Sequence, residues 1–175
     1  SSSRPSSSRP SSSRSSWPCR LWPSRRQLLL GLAAATVAGA ALAQAPGPTS
    51  DLYIVTAKSR QHFRVELALD AASQAQGLMF RKSMAADAGM LFDFGLPERP
   101  EGFWMKNTYI PLDMFFIRAD GSIAEIAERT VPFSEATVGG DIPVRAVLEL
   151  NGGTAARLGI AVGDKVQHRV FGNLP

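Results

Sequence analysis

Hydrophobic and polar positions alternate most cleanly at Phe63-Arg64-Val65-Glu66-Leu67-Ala68-Leu69, with Phe63, Val65, Leu67 and Leu69 on one face and Arg64 and Glu66 on the other. A period of two marks a strand laid against a core. Leu52-Tyr53-Ile54-Val55 before it and Met90-Leu91-Phe92-Asp93-Phe94 after it also read as strands. Between them Asp70 is placed to cap a short helix over residues 71–76, which Gly77 ends. Residues 95–102, with Pro97 and Pro100, read as a loop. Residues 103–107 then predict a strand, 108–111 a turn and 112–119 a second strand. Asp120-Gly121 is a two-residue hairpin signal that returns the chain over residues 122–128. Residues 130–144, broken by Pro132, Gly139, Gly140 and Pro143, read as a long loop. Residues 146–150 predict a short buried strand, 154–158 a helix ended by Gly159, and 165–171 a last strand after the Gly163-Asp164 turn. The sum is an α+β, β-rich class: a single compact domain of about eight strands, mostly antiparallel, in a barrel-like or rolled sheet with two short helices.

The N-terminal third has a different pattern. Residues 1–23 open on Ser-Ser-Ser-Arg repeats with interspersed prolines, a composition with nothing to bury, and are expected to be a disordered leader extension. Ser24-Arg25-Arg26-Gln27 leads into an apolar run that ends at Ala41-Leu42-Ala43. Residues 24–43 therefore read as a secretory signal peptide cleaved after Ala43, with the paired arginines of a twin-arginine signal. The run is shorter than the roughly 20 apolar residues of a spanning helix, so no membrane anchor is expected after cleavage. Residues 44–51 make a Pro/Gly linker and residues 52–175 the globular domain. The expected location is the periplasm.

Charge distribution narrows the partners. The formal net charge is +4, yet residues 1–50 hold six arginines and no acid. The remaining thirteen basic residues stand against all fifteen acidic ones, a balance of −2 for residues 51–175. The basic excess belongs to the leader, and nucleic acid is set aside as a partner. Cys19, the only cysteine, also lies in the leader. The mature chain thus has no disulfide, thiolate nucleophile or cysteine zinc site. It carries no GxSxG, phosphate-binding loop or dinucleotide fingerprint, and no cofactor is expected.

Candidate chemistry concentrates in Phe103-Trp104-Met105-Lys106-Asn107-Thr108-Tyr109-Ile110-Pro111-Leu112-Asp113. Apolar runs flank this stretch and hold its polar groups near a core. In a hairpin turning at Thr108–Pro111, Lys106 and Asp113 would face each other and bind an anion or move a proton. The alternative is a structural ion pair, or Asp113 accepting turn amides. Trp104 offers an indole face and Asn107 an amide for a polar ligand, against core and turn roles for the same residues. Arg81 follows the anchored Leu78-Met79-Phe80 and is placed either to clamp an anion or to pair with an acid. Glu149, inside Val-Leu-Glu-Leu, either faces solvent or is a buried acid. With Asp113 it would supply the two carboxylates of a glycosidase. Asn151-Gly152-Gly153 before a helix offers amides to an anion. Met79, Met84, Met90, Met105 and Met114 are clustered, as thioethers that bind Cu(I) or as core filler. His62 and His168 are isolated and form no metal-ligand spacing.

Five segments in order carry a resemblance: Gly77-Leu78-Met79-Phe80-Arg81, Gly89-Met90-Leu91-Phe92, residues 103–113, Val147-Leu148-Glu149-Leu150-Asn151-Gly152-Gly153, and Gly159-Ile160 with Gly163-Asp164. Together they resemble the domain of unknown function 192 family of small, often exported, bacterial and archaeal proteins. The resemblance implies a compact β-rich domain and no particular reaction. The expected role is non-catalytic binding of a small polar or anionic envelope ligand, or of an envelope protein, by a monomer. Arg81, Trp104, Lys106, Asn107, Asp113 and Glu149 would line the groove. The alternatives are a carboxylate-dependent hydrolase of envelope glycan using Asp113 and Glu149, and methionine-based copper binding.

Overall fold

The computed structural model describes residues 47–174. The leader extension and the signal peptide, with the first residues of the linker, lie outside the described residues. Among the described residues are nine strands: β1 (Thr49–Val55), β2 (Arg60–Ala68), β3 (Ala88–Asp93), β4 (Arg99–Phe103), β5 (Leu112–Ile117), β6 (Ile123–Ala127), β7 (Val138–Val144), β8 (Ala146–Asn151) and β9 (Lys165–Gln167). Two short helices, α1 (Ala71–Gln76) and α2 (Thr154–Leu158), complete the described elements with a 3₁₀ turn at Arg169–Phe171.

Seven strands form one sheet in the order β6-β5-β8-β3-β2-β1-β9. All neighbours are antiparallel except β2 and β3, which run parallel across the α1 crossover. The edges β6 and β9 meet through a Ser122–Lys165 bridge, with Ile123 N donating to Asp164 O at 2.9 Å and Val166 N to Gly121 O at 2.8 Å. These bonds nearly close the sheet into a barrel and leave its edges little unpaired backbone. Alternating residues divide the apolar side chains between two cores. Leu52, Phe63, Val65, Leu91, Phe115, Leu148 and Val166, from six strands, fill the interior. Ala68, Met90, Phe92, Leu112, Met114, Phe116 and Val147 form a second core on the outer face of β2, β3, β5 and β8.

A two-stranded ribbon of β4 and β7 covers that outer face. Both strands fall where the sequence predicts loops. Pro100 and Pro143 face each other in the ribbon, where each lacks a neighbour on its other side and so forfeits no ladder bond. Gly139 adopts φ +70°, and a Cβ there would come within 2.3 Å of the Phe116 ring. The glycine that reads as a breaker is what lets the ribbon lie on the core. The predicted hairpin between residues 103–107 and 112–119 does not form. β4 ends at Phe103, Thr108 N donates to Met105 O at 3.0 Å in a turn, and β5 pairs with β6 and β8. The last predicted strand stops at Gln167 because His168 turns inward and accepts the Val170 amide through Nδ1 at 3.3 Å. β1 starts at Thr49, inside the predicted linker. The domain is β-rich with two short helices, as its periodicity predicts.

Candidate functional site

The register of β3, β5 and β8 places three side chains in one row on the outer face. Glu149 stands opposite Met90 on β3 and Met114 on β5. Directly opposed residues bring their Cβ atoms to about 5 Å, so the carboxyl stem lies between two methionines. Phe92 and Val147 continue the face. Glu149 is 4% exposed.

The covering elements are held rigidly over this row. Asp70 caps α1 by accepting from Ala72 N at 3.0 Å and Ser73 N at 2.9 Å, and Ser73 Oγ accepts in return from Asp70 N at 3.2 Å. Gln74 Nε2 donates to Asp93 O at 3.0 Å and Ala68 O at 3.3 Å, pinning α1 to β3 and β2. Gly77 turns the chain at φ +48° against the Phe92 ring. Phe80 N donates to Asn107 O at 2.8 Å and ties this turn to the segment after β4. Between α1 and β4 these contacts leave a cavity of about 200 Å³, lined among others by Met79, Phe92, Phe103, Trp104, Glu101 and Glu149. The Phe103 ring meets Phe92 edge-on at 5.0 Å and Phe94 at 6.1 Å. Trp104 is 48% exposed.

Among the described residues, Glu149 has no hydrogen-bond or ion-pair partner. Burial alone pushes its carboxyl up to about 8, so the acid is protonated at neutral pH. An unpartnered polar group this deeply buried is costly in a fold unless solvent or a ligand entering the cavity supplies the missing bond.

The remaining predicted site residues do not line this cavity. Arg81 pairs with Glu66, Nη2 to Oε2 at 2.6 Å and Nη1 to Oε1, and this bond raises the guanidinium above its usual value. The pair lines a second cavity of about 450 Å³ that includes Asp70, Ser73 and Met90. Lys106 Nζ sits 5.1 Å from the Trp104 ring centre and 3.5 Å from Glu135 Oε1. Asn107 occupies the left-handed region at φ +55° and presents Nδ2 to the Met79 sulfur at 3.9 Å.

Asp113 does not take the Lys106 pairing or the paired-carboxylate role expected of it, and instead accepts backbone amides, the alternative the sequence offered. It faces the barrel interior, fully buried, and does not meet Lys106. Its Oδ1 accepts from Arg129 N and Gly153 N and its Oδ2 from Ala155 N, each at 2.8 Å. The glycine-rich N-terminus of α2 is therefore capped from across the barrel, and the anion its amides hold is Asp113 itself. Asp113 pairs with Leu150 while Met114 pairs with Glu149, so the two carboxylates point to opposite faces of the sheet. They cannot flank one glycosidic bond, and the paired-carboxylate hydrolase loses its geometry. The structure brings together Trp104 and Glu149 and adds Phe103 and the thioether candidate Met79, together with Phe92 and Phe94, which the sequence signals only as strand residues. Four of the clustered methionines, Met84, Met90, Met105 and Met114, pack in or against the outer core.

Residues 53–168 match the sequence profile of DUF192, described as an uncharacterised ACR. A solved structure from Sinorhizobium meliloti, described as a candidate transcription regulator, is 47% identical, with a TM-score of 0.70 over 73% of this chain and 98% of that one. A protein of unknown function from Novosphingobium aromaticivorans is 41% identical, with a TM-score of 0.66 over 72% of this chain and 94% of that one. No curated protein matches the chain.

Proposed function

The chain belongs to the DUF192 family, and on the geometry of its outer sheet face we propose that it is a non-catalytic binding protein for a small polar ligand of the cell envelope. The observation that carries this reading is Glu149, a buried acid without a protein partner on the wall of an aromatic-lined cavity. A pocket largely apolar, with few convergent polar groups, is the usual form of a small-molecule site. The location in the envelope rests on the signal sequence. The regulator description of the Sinorhizobium meliloti protein finds no support in the −2 balance of residues 51–175.

Native mass spectrometry of the mature protein, purified gently from its own periplasm, tests the reading. A small-molecule adduct is expected in the wild type and absent in Trp104→Ala, which removes the exposed ring at the cavity without touching the buried core. A bare mass in repeated preparations, together with no cavity ligand found by screening, would sink it.

The Met90–Glu149–Met114 row favours one second reading, Cu(I) held by thioethers with Met79 nearby. Competition against a Cu(I) chelator decides it: a Met79→Leu, Met90→Leu, Met114→Leu triple variant must lose the metal that the wild type retains.

A further inference from the structure

We propose that the occupant of this cavity is a small organic cation, a primary ammonium carried on an apolar or aromatic stem. This rests on the binding role above and names the chemistry of the ligand. Charge is the first ground. The lining side chains include two carboxyl groups, Glu149 and Glu101, and no lysine, arginine or histidine. The cations nearby are engaged, Arg81 by Glu66, Arg99 by Glu101, and Lys106 by the Trp104 ring and Glu135. An entering anion would meet no free positive group on the cavity wall. An entering ammonium would meet an acid that has no competitor for it.

Shape and surface are the second ground. Phe92, Phe94, Phe103 and Trp104 line the cavity beside the Met79 thioether. Aromatic faces attract cations, and an apolar stem gains by leaving water. An ammonium offers three donors, which is what a buried carboxylate lacks here. Carboxyl, rings and thioether are thus complementary to one molecule: a cationic head with an apolar body.

Binding has a proton balance. The free protein holds Glu149 as the neutral acid, because burial raises it to about 8. The ammonium keeps its proton, the Glu149 carboxylate forms, and the acid proton leaves to solvent, one per ligand bound. The other charged groups on this face include Glu101 and Arg99 on β4, Glu66 and Arg64 on β2, Arg81 after α1 and Lys106 after Trp104. All but the exposed Arg64 are already in an ion pair, so Glu149 is the group whose titration is coupled to binding.

Isothermal titration calorimetry with three probes of one shape tests this: phenethylammonium, phenethyl alcohol and phenylacetate. The ammonium should bind, about tenfold more tightly for each pH unit between about pH 5 and pH 7.5, with about one proton released as judged from buffers of different ionisation enthalpy. At about pH 7.5 the alcohol should bind at least about tenfold more weakly, and without that slope, and phenylacetate not at all. Glu149→Gln should lose the slope and the preference for the ammonium while remaining folded by circular dichroism. If the alcohol or phenylacetate binds as tightly as the ammonium at every pH, the cation assignment falls and the binding role stands. If no probe binds while native preparations still carry an adduct, the cation assignment again falls alone. Absence of both probe and adduct overturns both.

Discussion

Replacing Glu149 by glutamine should stabilise the free protein, by an amount that grows with pH. Burial lifts the carboxyl from 4.5 in the unfolded chain to about 8 in the folded one. Below pH 4.5 both states hold the proton, and the stability is fully present. Between pH 4.5 and about 8 the unfolded chain has released a proton that the folded protein keeps. Stability therefore falls by about 1.4 kcal/mol per pH unit across that window. The accumulated loss is about 3 kcal/mol at pH 7 and about 5 kcal/mol at pH 8, after which it levels off. Glutamine has the same length and no charge to desolvate, so the variant lacks this slope. Urea unfolding of both proteins at a series of pH values from about 4 to 9 gives the difference directly, with the slopes of the transitions compared to confirm the same unfolded surface. The expected difference is near zero at the acid end and rises to about 3–5 kcal/mol at the basic end. A difference that stays constant with pH would refute the reasoning, because Glu149 would then ionise alike in both states. The predicted loss is a large part of the 5–15 kcal/mol that typically separates folded from unfolded. A side chain with that cost and no structural partner needs a reason beyond the fold.

Three further outcomes follow from groups outside the cavity. Asp113→Asn leaves one acceptor oxygen where three amides converge and turns an amide donor toward another donor, so denaturant unfolding should show a loss of about 3–5 kcal/mol, while folded variant binds cavity ligands as the wild type does. His168 is buried, with Nε2 on Ser50 Oγ at 2.9 Å, and burial first and Arg169 second lower it from 6.5 to about 4. The unfolded chain takes up the proton first as pH falls, so stability is lost between pH 6.5 and about 4, by about 3 kcal/mol in all, and His168→Gln should flatten that acid limb in thermal unfolding scans. Gly139→Ala forces a Cβ into the Phe116 ring and a left-handed φ on alanine, and should cost about 2–4 kcal/mol by the same unfolding assay.

What the sequence reveals of this fold is its local chemistry. The Asp70 cap, the Gly77 and Gly159 stops and the Asp120-Gly121 hairpin are read from neighbouring residues and recur where predicted. The alternation at Phe63 to Leu67 likewise becomes an inward face of β2. β4 and β7 escape such a reading because Pro100, Gly139, Gly140 and Pro143 are breakers by local rules. They become strands only because each supplies the other's partner over an outer core. The site fails to read for the same reason. A buried Glu149 is visible in Val-Leu-Glu-Leu, but which face it takes, and what lies beside it, depends on pairing with β3 and β5. The hairpin that would have joined Lys106 to Asp113 looks sound locally and loses to the β5–β8 pairing, which buries every residue of β5.

That pairing also explains why two carboxylates on adjacent strands have different uses. Asp113 and Glu149 stand one step apart in the β5–β8 register and so fall on opposite faces. Inside the barrel, the backbone amides of Arg129, beyond β6, and of Gly153 and Ala155 at the start of α2 satisfy both oxygens of Asp113. Outside, Met90 and Met114 flank Glu149 and offer it nothing polar. Burial keeps Glu149 protonated in the free protein, which would set the conditions for the proposed cation to enter. Ionising the acid in place costs about 1.4 kcal/mol at pH 7 and about 4 kcal/mol at pH 5. The pairing energy of the bound ammonium must exceed that cost before any affinity appears. A cavity built this way would hold its ligand at neutral pH and release it on acidification, with Glu149 as the element that sets the midpoint.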